Sequence, residues 1–105
     1  MTRSPIDADV IARLKSDLGE EIAGRLLASF AQEIRSKTNA VLTAIGKSDG
    51  LAARDQAHAL RSVSLEYGAV ELADVAGAIE KGQAVEAARL QDCCERTLVA
   101  LATVH

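Results

Sequence analysis

Apolar residues recur along this chain three and four positions apart, with polar residues between them and no sustained strict alternation. That spacing predicts amphipathic helices and no strands. Val10, Ile11, Leu14 and Leu18 form a short first stripe that Gly19 interrupts. Ser4-Pro5 reads as its start, with Ser4 as N-cap, Pro5 at the first helical position and Asp7 in the first turn. A longer helix is expected over residues 20–46, with Ile22, Leu26, Phe30, Ile34, Val41 and Ile45 as its buried stripe.

Residues 46–50, Gly-Lys-Ser-Asp-Gly, read as a turn. A third helix is expected over 51–67, closed by Gly68 as the residue after its C-cap. A fourth carries Leu72, Val75, Ala76 and Ile79 up to Gly82. The last, over 84–104, places Ala87, Leu90, Cys94, Leu98 and Leu101 on one side. One short helix and four longer ones joined by short turns predict an all-α fold, an up-and-down antiparallel four-helix bundle with an N-terminal capping helix. At 105 residues the whole chain reads as a single domain.

Composition narrows the function. Phe30 and Tyr67 are the only aromatics, so the core must be aliphatic and the stacking platforms of single-strand binders are missing. A formal charge of −3 argues against a nucleic-acid partner. No apolar run reaches the ~20 residues that cross a bilayer, and the N-terminus lacks a signal-like apolar segment, so a cytoplasmic protein is expected. Cys93 and Cys94 are adjacent and point about 100° apart on a helix, so they read as small buried thiols rather than a disulfide or metal pair.

The helix over 51–67 does more than serve the core. With Leu60 facing inward, Ala53, Gln56, Val63, Ser64 and Tyr67 fall on its side of the wheel, and His58 falls about 160° away. One turn from His58 stand Arg54, Arg61 and Ser62, and Leu65 lies two turns along the same outward face. Imidazole is a competent nucleophile near neutral pH. Arginines can hold an added phosphoryl group, a small residue leaves room for another protein, and an exposed leucine gives it a foothold. A surface histidine between arginines is also an ordinary solvated face, and wheel geometry leaves both readings open.

The stretch from His58 to Leu72, with Leu60, Arg61, Ser64, Gly68 and Ala69 in register, resembles the signature of histidine-containing phosphotransfer (HPt) domains, H-x-L-K-G-S-S-x-x-x-G-A-x-x-L. The helix layout on either side fits that family as well, so the resemblance covers essentially the whole chain. It implies that His58 accepts the phosphoryl group and that Arg61 steadies it. It implies receiver-domain docking around His58, on a surface that includes Arg54, Ser62 and Leu65. Family members carry Gln or Glu 22 positions after the histidine to orient the ring, which here is Glu80. Three positions differ from the signature: Arg61 replaces its lysine with the charge kept, Ser62 its glycine and Val63 its first serine.

The resemblance further implies a carrier rather than an enzyme. Its partners would be the receiver domain of a hybrid sensor kinase or of a response regulator. The chain has no carboxylate cluster or Gly-rich phosphate loop, so no cofactor is expected on it and Mg²⁺ belongs to the receiver. A monomer is expected, with no kinase or ATP-binding activity. The rival readings are a docking module that binds receivers without carrying phosphate, a plain helical scaffold, and, least supported, a hydrolytic or metal enzyme. His105, at the end of the chain, is assigned no role.

Overall fold

Cap chemistry sets where each helix begins and ends in the computed structural model, which describes residues 4–104. The elements are α1 (Ala8–Leu18), α2 (Glu20–Gly46), α3 (Gly50–Glu66), α4 (Val70–Glu80) and α5 (Ala87–Val104). The chain is therefore all-helical among the described residues, with five helices packed together. His105 lies outside them.

The N-cap of α1 is Asp7 rather than Ser4. The Asp7 carboxylate accepts from the Asp9 amide at 3.0 Å, and the Asp7 amide donates to the Gly68 carbonyl at 2.8 Å. That second bond ties the start of α1 to the turn between α3 and α4. It leaves Ser4 to Ile6 as a lead-in whose Ile6 is buried in the core, so a helix beginning at Pro5 would forfeit both contacts.

The middle of α2 matches the expected stripe at Phe30, Ile34 and Val41, but its ends do not: Leu26 and Ile45 are only half-buried, with Leu27 and Ala44 buried beside them. Ile22 is 51% exposed and Ala23 is buried in its place, with Leu27, Phe30, Ile34, Thr38, Val41 and Ala44 completing the face. Apolar residues spaced strictly by four drift about 40° per step, so Ile22 lies about 80° from Phe30 whereas Ala23 lies about 20° from it. On α3 the buried residues are Ala53, Ala57, Leu60, Val63 and Ser64, and Gln56 is exposed. The core seam is displaced toward Ala57, which lets the polar amide stay in water. α5 begins three residues later than expected and exposes Ala87.

The turns after α2, α3 and α4 repeat one pattern of bonds. After α3, the Gly68 amide donates to Leu65 and the Ala69 amide to Ser64, the paired arrangement that closes a helix on a left-handed residue. Gly68 has φ 75°, and a β-carbon there would stand 2.9 Å from Val10 Cβ, so both backbone and packing exclude a side chain. The turn after α2 places Ser48, not a glycine, at φ 56°.

Packing runs α2 on α3, α3 on α4, α4 on α5 and α5 back on α2, with α1 laid against α2. The core these helices share is aliphatic apart from Cys93 and Phe30, and Phe30 stacks on Tyr67 with ring centroids 4.5 Å apart. Among the described residues no helix is long and apolar enough to cross a membrane.

Candidate functional site

Because α3 and α4 are joined by a tight turn and pack along their length, residues that are far apart in sequence face each other across the seam. Three contacts mark it. Arg61 meets α4 at Gly77, His58 meets it at Glu80, and Arg54 meets the residue that ends it, Gly82. The central contact joins an imidazole to a carboxylate. His58 Nδ1 lies 2.6 Å from Glu80 Oε2. An ionised carboxylate can only accept, so a neutral ring in this pair carries its proton on Nδ1 and donates it. Nε2 is then the nitrogen with the free lone pair. The His58 side chain is 63% exposed, so that lone pair is open to a partner.

Glu80 has a second neighbour. Its other oxygen, Oε1, lies 3.9 Å from Arg61 Nη1. Ion pairs this exposed contribute little to folding, typically about 0–1 kcal/mol. What the pair does is hold a cation beside the imidazole and keep the carboxylate aligned. Arg54 lies one turn before His58, against the C-terminal turn of α4, where a cation is also favoured by the helix dipole.

The remaining residues expected at the site all lie on the His58 face. Ser62 is exposed, and its hydroxyl donates to the His58 carbonyl at 3.0 Å, so it is turned onto the helix backbone. Leu65 is 53% exposed. Gly68 closes α3 as described. Sequence reasoning missed Leu51, which is 73% exposed and lies seven positions before His58, as Leu65 lies seven after. Heptad spacing was the available signal. It also missed Gly77, whose signal was a glycine in the interior of a helix.

The other reactive side chains are poorly placed for chemistry. Cys93 and Cys94 are free and buried. Burial, with Cys94 alongside, pushes the Cys93 thiol up to about 11, and burial also raises Cys94. Both are neutral thiols at neutral pH and so weak nucleophiles. Among the described residues no group of three or more His, Cys, Asp or Glu could hold a metal ion. A shallow groove beside Arg54, with Ile45, Ala53, Ile79 and Val85 on it, offers only Arg54 and Gln83 as polar side chains. It lacks the converging polar groups that define a small-molecule site.

The site is thus an exposed imidazole bonded to a carboxylate, with an arginine one turn to either side on α3 and apolar residues at either end of the face. Comparison of the chain with protein-family models, with curated proteins and with solved structures returns no match.

Proposed function

We propose that this protein is a phosphoryl carrier of the HPt kind, in which α2 to α5 form an up-and-down four-helix bundle capped by α1. His58 is its phosphoacceptor. The observation that carries the reading is the 2.6 Å bond from His58 Nδ1 to Glu80 on a ring otherwise open to solvent.

The donor is an aspartyl phosphate on a receiver domain. The His58 Nε2 lone pair attacks phosphorus in line, an N–P bond forms, and the P–O bond to the aspartyl group breaks. The carboxylate leaves with the bonding pair, and the Nδ1 proton stays in place. The ring becomes a positively charged phosphoimidazole whose charge Glu80 offsets. Phosphoryl transfer depends on placement and charge stabilisation, and Arg61 with Arg54 supplies cations beside the incoming oxygens. Mg²⁺ and the acidic pocket belong to the receiver. Transfer to a second receiver reverses these steps. Leu51 and Leu65 bracket the ring and provide apolar contact for the docking domain. The reading places the protein in the cytoplasm as a monomer, with no nucleotide site of its own.

The test is incubation with purified phosphorylated receiver domains, comparing wild type with His58→Gln. Label on wild type alone, lost in acid and kept in alkali, supports the carrier. Binding without label on wild type would instead support a docking module. Ser62 motivates that second reading, since it adds a side chain one turn from His58 where the HPt signature has none.

A further inference from the structure

Glycine inside a helix is unfavourable because it gives up the most backbone freedom on folding. It persists where a left-handed backbone or a close neighbour demands it. Gly77 lies within α4, is buried and has no positive φ, so the backbone makes no demand. Its neighbour limits the size of what can stand there. A β-carbon at position 77 would lie 3.4 Å from both Cδ and Nε of Arg61, already in van der Waals contact, so a side chain larger than a methyl would run into Arg61; it would meet no other side chain within 4 Å. Gly24 and Gly46, the other glycines inside or ending long helices, have nothing within 4 Å. Gly82 does lie under Arg54, but its φ of 80° already calls for glycine. Gly77 is therefore distinctive in what it accommodates.

We infer that Gly77 is a positioning residue for Arg61, a flat seat on α4 that holds the guanidinium beside Glu80 and off the open edge of His58. The inference rests on the carrier reading above. A planar guanidinium on its stem can lie this close across a helix only where nothing larger than a methyl rises beneath it. From this seat Nη1 reaches Glu80 Oε1 at 3.9 Å, while Oε2 of the same carboxylate holds Nδ1. The 3.9 Å contact is loose and partly exposed. A phosphoryl group on Nε2, with roughly two negative charges and three strong acceptors, competes for the guanidinium on better terms. The seat keeps Nε2 clear before transfer and keeps the cation within reach after it. Lysine, a point charge on a flexible stem, needs no such seat.

The experiment compares wild type, Gly77→Ala and Gly77→Val, each also carrying Arg61→Lys, in the full-length chain. Two readouts are taken: NMR contacts between the Arg61 Cδ protons and residue 77, and the rate of label transfer from a phosphorylated receiver. In wild type the Arg61–Gly77 contacts are present. Gly77→Val removes them and slows transfer roughly tenfold, because one misplaced group can cost one to two orders of magnitude. Gly77→Ala, whose added methyl sits in ordinary contact with Arg61, keeps the contacts and transfers at close to the wild-type rate in a protein that melts no lower than wild type. In the Arg61→Lys background neither change at position 77 slows transfer further. Transfer unaffected by Gly77→Val, or slowed equally in both backgrounds, overturns the inference while leaving the carrier intact. A wild type that takes no label refutes the carrier reading itself, and the role of the seat falls with it.

Discussion

Helix α4 carries two half-buried carboxylates, and they are put to different uses. Glu71 pairs with Arg96 of α5, which also reaches Asp92 at 3.3 Å. Glu80 pairs with His58 of α3 and has Arg61 as a second neighbour. Their exposures are nearly equal, 28% and 30%. The partners differ. Arg96 offers only cationic N–H donors, and its pair with Glu71 clips α5 to α4 while its pair with Asp92 stays within α5. The imidazole can carry or release a proton and presents a second nitrogen to solvent. The same carboxylate chemistry fastens two helices in one place and holds an exposed imidazole by one of its nitrogens in the other. What a buried-edge glutamate does is decided by whether the group it holds has another reactive atom left over.

This contrast can be broken by experiment, beginning with its largest effect. Glu80→Ala should slow acceptance of phosphoryl by His58 roughly tenfold, as loss of a carboxylate that orients an imidazole does elsewhere, with the melting temperature nearly unchanged. Label-transfer kinetics and thermal melts on one preparation check both halves. Equal rates in Glu80→Ala and wild type would reduce the 2.6 Å bond to a surface contact.

Glu71→Ala should do the reverse. Stability should fall by about 1 kcal/mol in denaturant titrations, since Arg96 loses one partner and keeps Asp92, and transfer should continue at the wild-type rate. A transfer defect in Glu71→Ala that outlasted correction for folding would erase the distinction between the two carboxylates.

Helix α5 supplies a pH test of the same logic. Cys93 is raised from 9.0 to about 11 by burial, so the native state favours the neutral thiol. A raised folded value stabilises the fold below the unfolded pKa, and that contribution is lost as pH climbs through the folded one. Stability should therefore decline between about pH 9 and about pH 11. Cys93→Ser or Cys93→Ala should lessen the decline, and alkylation of native protein at pH 7 should be negligible. Rapid labelling of both thiols at neutral pH would contradict their burial.

The smallest effect concerns Ser64, whose buried hydroxyl has no hydrogen-bond partner. Ser64→Ala should leave transfer unchanged and raise stability by at most about 1 kcal/mol. A clear loss of stability would mean that the hydroxyl is satisfied after all.

Much of this architecture was legible in the chain. The middle of α2, the outward turn of His58 and the closing role of Gly68 follow from helical spacing and from glycine's tolerance of positive φ. The ends of helices were less legible, because competing local signals are settled by distant contacts. Ser4 and Asp7 are both good caps, and the choice between them was made by the Gly68 carbonyl. Ile22 and Ala23 both suit a helix, and four-residue spacing hid the drift that exposes the first. At the site, His58, Arg54, Arg61, Ser62 and Leu65 share a face by periodicity alone. The meeting of Glu80 with His58 across the α3–α4 turn is a tertiary contact, which the HPt resemblance suggested and spacing could not. Glu71 with Arg96, and Gly77 beneath Arg61, had no sequence signature strong enough to pair them.

The central claim is that Glu80 holds the Nδ1 proton so that Nε2 does the chemistry. It is tested most directly by NMR of protein carrying ¹⁵N-labelled histidine, phosphorylated by a receiver domain and kept at alkaline pH. The account predicts one phosphorylated imidazole, that of His58, with phosphorus coupled to Nε2 and a proton retained on Nδ1. Phosphorus on Nδ1, on another residue, or on no residue at all would contradict it.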